Sequence, residues 1–168
     1  MGKHSSKPIV TVLLATIFLA AFLASFRVEA EDTAKGTVVY KDKTMELKYV
    51  YLVKGPDYTS SVIRELVFSP TDISAKIQSC TDMSCVSGVL DEGMTVDFDS
   101  GPRLNYWIVM NGQMVQYSGT ADPSVFTATA DAADRLAGSL KIDSMSGGVG
   151  TLDLTFDATL VKEFPAGD

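Results

Sequence analysis

The sequence predicts an all-β fold: a single antiparallel β-sandwich or β-barrel of about eight or nine strands with at most one short helix. Apolar and polar residues alternate with a period of two in most segments after residue 30. Gly, Pro, Asp and Ser interrupt this alternation about every ten residues, which is typical of turns between short strands. No segment has a sustained helical apolar period, and no linker or repeat divides residues 31–168, so we expect one β-domain.

The first half of this domain carries three predicted strands and one ambiguous segment. A short strand over residues 37–40 ends at a turn over residues 41–43. The next strand ends at Gly55 and Pro56, and one of its faces is made by alternate apolar residues: Met45, Leu47, Tyr49, Tyr51 and Val53. A third strand spans residues 62–68. Residues 73–78 fit either one or two helical turns capped by Asp72 or a further strand.

The second half carries the remaining strands. A half-buried strand with its acidic residues toward solvent is predicted by the alternation of Met94, Thr95, Val96, Asp97, Phe98 and Asp99. Further strands are expected over residues 125–130 and 136–142. A glycine-rich turn over residues 145–150 precedes a last strand with an inward face of Leu152, Leu154, Phe156 and Ala158.

Asn111-Gly112 is the strongest hairpin signal in the chain, because both residues accept the positive φ angles of a type I′ turn. A two-residue turn places Met110 opposite Gln113 and Tyr106 opposite Tyr117. One face of this hairpin is then apolar and is expected in the core: Tyr106, Ile108, Met110, Val115 and Tyr117. The other face mixes apolar and polar residues: Asn105, Trp107, Val109, Met114, Gln116 and Ser118.

That second face supports two interpretations. Trp107 either packs under a neighbouring loop or forms, with polar and apolar neighbours, a partly exposed binding surface. The residues of such a surface would be Trp107, Asn105, Met114 and Gln116.

Residues 1–30 are predicted to be a signal peptide cleaved after Ala30, which directs the protein to the periplasm or the exterior. Lys3 and Lys7 precede an apolar stretch, and Val28 and Ala30 are the small residues that a signal peptidase reads. The alternative is an uncleaved membrane anchor, since the apolar stretch reaches the lower limit of a bilayer span.

Charge and histidine content exclude several function classes. The leader holds three of the 14 basic and one of the 21 acidic residues, so residues 31–168 carry 11 against 20, a net charge of −9. This balance disfavours nucleic acid as a partner, and also a membrane once the leader is cleaved. The only histidine, His4, lies in the leader, which excludes His-based catalysis and His-ligated metals from the mature chain. No cofactor is expected.

Cys80 and Cys85 are the only cysteines, and two cysteines in an exported chain usually pair. We therefore expect a structural disulfide that closes a short loop. Zinc would need two more ligands, for which no further Cys or His is present.

Several short motifs carry a family resemblance: GTVVY at residues 36–40, LKYVY at 47–51, RLAG at 135–138 and FDA at 156–158. In these motifs the chain resembles a group of uncharacterised bacterial exported β-domain proteins. The resemblance implies an exported location and a β fold, and it supplies no catalytic residue.

Carboxylates are the main reactive groups of the domain. Asp97 and Asp99 could supply the two carboxylates of a glycoside hydrolase or the start of a surface calcium site. An EF-hand fails, because its twelfth position is Ile108. Alternating acids are also typical of a solvent-facing strand, so no metal site and no catalytic residue is predicted.

The leading expectation is an exported, non-enzymatic binding or envelope-associated domain for an unknown small molecule or protein. The alternatives are a small secreted carboxylate-dependent hydrolase and a protease-inhibitor-like module that presents the loop between Cys80 and Cys85.

Overall fold

A computed structural model describes residues 32–59, 61–112 and 114–165. The predicted signal peptide, its cleavage site and Gln113 lie outside the described residues. Nine strands and two short α-helices follow one another in the order β1 Thr33–Tyr40, β2 Lys43–Pro56, β3 Val62–Ser69, α1 Ser74–Ser79, α2 Met83–Gly88, β4 Gly93–Phe98, β5 Leu104–Met110, β6 Met114–Ala121, β7 Phe126–Ala132, β8 Arg135–Ile142 and β9 Gly150–Glu163. Single 3₁₀ turns lie at Pro123–Val125 and Ser146–Gly148.

The nine strands form one curled antiparallel sheet, a half-barrel, in the order β6-β5-β4-β3-β2-β1-β9-β8-β7. The ends of β2 and β9 also pair in parallel, with Leu52 opposite Leu160 and Lys54 opposite Glu163. This architecture confirms the all-β prediction and its strand number. The expectation of at most one short helix is wrong, since the segment between β3 and β4 forms two helices that pack against the sheet.

The ambiguous segment over residues 73–78 is helical. The helix is Ser74–Ser79 and its N-cap is Ile73, which makes no side-chain capping bond, so the predicted cap at Asp72 is wrong by one position. Asp72 still holds the start of the helix, because its Oδ1 accepts a hydrogen bond from the Ser74 amide at 2.9 Å. The Tyr51 hydroxyl donates to the same oxygen at 2.8 Å and accepts from the Ile73 amide. The β2 side chain therefore fixes the start of the helix on the sheet.

The sheet buries apolar side chains on both faces. The inner face holds the larger cluster, in which aromatic rings from distant strands meet: Phe68 contacts Phe156 at 5.4 Å and Phe98 contacts Phe126 at 5.2 Å between ring centroids. A second cluster lies between the outer face of β2, β3 and β5 and the helical segment that covers it. It includes Tyr51, Val53, Ile63, Val67 and Val109 of the strands and Ile73, Ile77, Val86 and Leu90 of the helical segment. Because the central strands bury apolar residues on both faces, their outer side does not show the polar pattern of a solvent-facing strand.

The predicted odd-position face of β2 holds only in its first part. Met45 and Leu47 lie in the inner cluster, but Val50 and Leu52 join them there, whereas Tyr51 and Val53 lie on the outer face. The change of face occurs beside an irregularity of the β1–β2 pairing, where three steps along β1 match two along β2.

The Asn111-Gly112 turn has φ angles of 58° and 78°, as the predicted turn requires. The predicted register is nevertheless wrong: Met110 pairs with Met114, and Tyr106 pairs with Gly119. Two one-residue shifts cause the difference. Three residues, not two, separate the paired Met110 and Met114, and a bulge in β6 follows, because Val109 pairs with Val115 while Ile108 pairs with Tyr117. The Tyr40 hydroxyl donates to the backbone oxygen of the extra residue, Gln116, at 3.0 Å.

The two shifts decide which β6 residues face the core, because the first moves Val115 to the other face and the second returns Tyr117 to the core face. Tyr117 packs partly buried against the inner cluster, as predicted. Val115 turns to the outer face and is 57% exposed, so its predicted core position is wrong. Tyr106, Ile108 and Met110 are buried in the inner cluster as expected.

Candidate functional site

A cavity of about 520 Å³ opens on the outer face of the sheet, between β3, β4 and β5 on one side and the start of α2 on the other. The connection from β2 to β3 and the residues after β9 complete its walls. Its lining consists of Pro56, Asp57, Tyr58, Ile63, Glu65, Asp82, Met83, Ser84, Ser87, Thr95, Asp97, Trp107, Val109, Val115, Phe164 and Pro165. We call this cavity the outer pocket.

Strand alternation and register place two carboxyl groups side by side in the outer pocket. Glu65 on β3 pairs directly with Asp97 on β4, so their side chains leave the sheet on the same face. Directly opposed residues of antiparallel strands have Cβ atoms about 5 Å apart, which brings the two carboxyl groups into contact range. Thr95 lies on the same face of β4 and pairs with Trp107 of β5.

Both carboxyl groups are buried. Glu65 is 6% exposed and Asp97 is 9% exposed, and Thr95 beside them is buried too. Glu65 Oε1 and Asp97 Oδ1 are buried and have no hydrogen-bond partner. Burial without such partners is unfavourable for a polar oxygen, so a donor group that reached these two atoms from the pocket would satisfy them.

The buried carboxyl groups form a pair that shares a proton. Burial first, and then the charge of Asp97, raises the pKa of Glu65, while the Ser87 side chain opposes this rise. Burial also raises the pKa of Asp97, but a hydrogen bond with Glu65 lowers it. Because the contact favours protonated Glu65 and ionised Asp97, Glu65 keeps the proton and donates a hydrogen bond to the Asp97 carboxylate.

Two further carboxylates lie at the rim of the outer pocket and stay ionised. Hydrogen bonding with Thr59 lowers the pKa of Asp57, whose Oδ1 also accepts from the Ser61 amide at 2.9 Å. Hydrogen bonding with Ser84 lowers the pKa of Asp82, whose Oδ1 also accepts from the Cys85 amide at 2.8 Å. The pocket therefore has an ionised rim above its proton-sharing pair.

The two cysteines bracket one wall of the pocket. Cys80 and Cys85 lie at disulfide-bonding distance, as expected for the predicted pair, with Cα atoms 5.4 Å apart. The residues between them include Asp82, Met83 and Ser84, which line the outer pocket. The closed loop thus holds the first turn of α2 over the sheet.

The remaining walls of the outer pocket are mostly apolar. Ile63, Met83, Val109 and Phe164 are buried, and Trp107 is half-buried. At the mouth, Val115 is exposed and Tyr58 is 99% exposed, so the pocket communicates with solvent.

The predicted binding surface is only partly assembled at this site. Trp107 lines the outer pocket, but Asn105, Met114 and Gln116 do not. Asn105 instead donates to the Ser100 hydroxyl at 2.9 Å, and Gln116 donates weakly to the Met114 backbone oxygen at 3.4 Å. Met114 is 63% exposed on the edge strand.

The predicted acidic pair is separated. Asp97 is buried in the outer pocket because β4 is covered on both faces, so the expected half-buried strand with solvent-facing acids is wrong. Asp99 follows β4 with a positive φ of 69° and accepts from Arg64 Nε at 2.6 Å. Arg103, after the turn that follows Asp99, donates to the Thr120 hydroxyl at 3.1 Å. In the described part of the chain, no three His, Cys, Asp or Glu residues gather at a potential metal site.

Glu65, the partner of Asp97, is not among the residues that the sequence pattern singles out. The available signal was a single acid, preceded by Arg64, inside a strand whose other residues are mostly apolar. An isolated acid in a strand that is buried on both faces needs a partner or a proton, and both occur here.

Comparisons with protein families, with curated proteins and with solved structures found no match to this chain. Within residues 32–59, 61–112 and 114–165, no helix has the length and apolar character needed to cross a membrane.

Proposed function

We propose that the protein is an exported, non-enzymatic binding domain and that the outer pocket is its ligand site. The observation that carries this proposal is the presence of two buried, unpartnered carboxyl oxygens in a pocket with apolar walls. Ligand sites are typically concave and apolar with a few convergent polar groups, and volumes of about 300–1,000 Å³ are usual.

The form of the carboxyl pair favours binding over glycoside hydrolysis. Glycoside hydrolases hold their two carboxyl groups about 5–9.5 Å apart, so that the scissile bond or a water fits between them. Glu65 and Asp97 instead interact through a hydrogen bond and leave no such gap.

The loop between Cys80 and Cys85 is unsuited to the role of a protruding protease-inhibitor loop. Met83 within it and Val86 just after it are buried in the outer cluster, so the loop is part of the domain body. Its pocket-facing residues fit a role in shaping the ligand site.

An exported location agrees with the cysteine pair, which is stable in an oxidising compartment. The same location is what the predicted signal peptide would provide.

Dye binding tests the site. We expect N-phenyl-1-naphthylamine, a neutral apolar dye, to gain fluorescence with the native protein and to change the emission of Trp107, the only tryptophan. Ser87→Phe should fill the outer pocket from α2 and abolish the gain. Ser79→Phe adds the same ring at an exposed position of α1 away from the pocket and should leave it unchanged. Equal dye binding by both variants would contradict the proposed site.

A further inference from the structure

We propose, on the basis of the ligand site proposed above, that the outer pocket binds a small organic cation: an ammonium group attached to a compact apolar body. The ammonium would bind the carboxyl pair of Glu65 and Asp97, and the apolar body would lie against Trp107 and its neighbours.

The charge of the lining favours a cation. Asp57, Glu65, Asp82 and Asp97 line the outer pocket, and no Lys or Arg occurs among its described lining residues. The surrounding domain carries an excess of acids, so its field adds to that of the pocket. A cleft lined by one sign of charge concentrates ligands of the opposite sign.

The hydrogen-bonding capacity of the pocket floor also fits an ammonium group. Glu65 Oε1 and Asp97 Oδ1 are acceptors without donors. An ammonium group supplies three donors and no acceptor, which satisfies both oxygens and places positive charge on the pair. A neutral alcohol supplies one hydrogen-bond donor and no charge. A carboxylate anion supplies no donor and no positive charge.

The apolar walls account for the second half of the ligand. Trp107 presents its half-buried ring to the pocket, and an indole face attracts cations through its quadrupole. Ile63, Met83 and Phe164 offer buried apolar surface to a ring or a short alkyl chain. Lysine-like chains without an apolar body would leave these surfaces unfilled.

Binding of the cation should release a proton. Before binding, Glu65 is protonated and Asp97 is ionised. When the ammonium group enters, the Glu65 carboxyl gives its proton to the buffer. Two carboxylates then face one ammonium group. The other titratable lining groups are Asp57 and Tyr58 before β3 and Asp82 before α2, while β5 and the residues after β9 contribute none. Affinity should therefore rise with pH until the amine itself loses its proton.

Calorimetric titration of the native domain with three matched probes tests the proposal: 2-phenylethylammonium, 2-phenylethanol and 3-phenylpropionate. We expect the ammonium to bind on the order of tenfold or more tightly than the alcohol, and the carboxylate to show no binding. At neutral pH, the heat of ammonium binding should depend on the ionisation enthalpy of the buffer, as proton release requires.

A double variant separates charge from shape. Glu65→Gln with Asp97→Asn keeps the size of both side chains and should remove the preference for the ammonium while retaining weak alcohol binding. Asp153→Asn, an exposed charge on β9 outside the pocket, should leave the preference intact. Circular dichroism on each variant establishes that it is folded before titration.

The outcomes distinguish this inference from the proposed function. Equal affinity for ammonium and alcohol, or an unchanged preference in the double variant, would overturn the cation inference and leave the ligand site standing. Failure of the dye and of all three probes to bind the native protein would overturn both.

Discussion

Replacement of Glu65 by glutamine should stabilise the protein at neutral pH. Folding raises the pKa of Glu65, because the carboxyl group is buried beside Asp97. A carboxyl whose pKa is higher in the folded state binds more protons there than in the unfolded chain. Its contribution therefore favours folding in acid and is lost as the pH rises from the unfolded value of about 4.3 through the folded one.

The size of the effect follows from the pKa of Glu65, which burial holds above neutral pH. A pKa difference of one between the folded and unfolded states corresponds to about 1.4 kcal/mol, so the interval from about 4.3 to pH 7 sets a ceiling near 4 kcal/mol. Relaxation around the pair reduces this ceiling, and we expect Glu65→Gln to be about 2–3 kcal/mol more stable than the native protein at pH 7. The glutamine amide can still donate a hydrogen bond to Asp97.

Urea unfolding followed by Trp107 fluorescence, at several values between about pH 4.5 and pH 8, measures the difference. The two proteins should be nearly equal in stability at the acid end and diverge as the pH rises. Asp153→Asn serves as the control, since Asp153 is exposed on β9. Parallel stability profiles for the native protein and Glu65→Gln would refute the buried proton-sharing pair.

Three further predictions concern other parts of the fold. Cys80→Ser should lower the free energy of unfolding by about 2 kcal/mol and weaken dye binding without unfolding the sheet. Equal alkylation of the native protein before and after reduction would contradict the disulfide. Phe68→Ala, at a fully buried inner position against Phe156, should cost about 3–5 kcal/mol in urea unfolding, and a loss under 1 kcal/mol would contradict its core position. Arg64→Met should cost about 1 kcal/mol, because its exposed partners Asp99 and Asp131 are screened; a loss that persists in 1 M salt would contradict an electrostatic origin.

Most of the strands were predictable because buried and exposed residues alternate along them with a period of two. The last strand is the clearest case: Leu152, Leu154, Phe156 and Ala158 are all buried in the inner cluster, as the alternation predicts. The same rule fails on β4, since Asp97 alternates like a solvent-facing acid but lies under α2. Local pattern cannot report which distant segment covers a strand.

The candidate site was predictable only in fragments. Trp107 and Asp97 were both singled out from the sequence, but for different surfaces and different chemistry. Their association depends on Glu65, on the β3–β4 register and on the helices, all of which are non-local. The error at Val115 arises at the turn: Met110 pairs with Met114, one position beyond its predicted partner, and this shift moves Val115 to the outer face. The β6 bulge, which the Tyr40 hydroxyl contacts from the distant strand β1, then returns Tyr117 to the inner face.

The parallel contact between β2 and β9 constrains the order in which this molecule can assemble. The amide of Phe164 donates to the backbone oxygen of Lys54 at 2.7 Å, and Phe164 then closes one side of the outer pocket. A nascent chain that has emerged only as far as β8 can complete the β2–β3 hairpin but lacks this wall. Contacts across more than a hundred positions also make folding slow relative to local hairpin formation. During folding, the ability to bind a ligand should therefore appear late, after most amides of the sheet are already protected against hydrogen exchange.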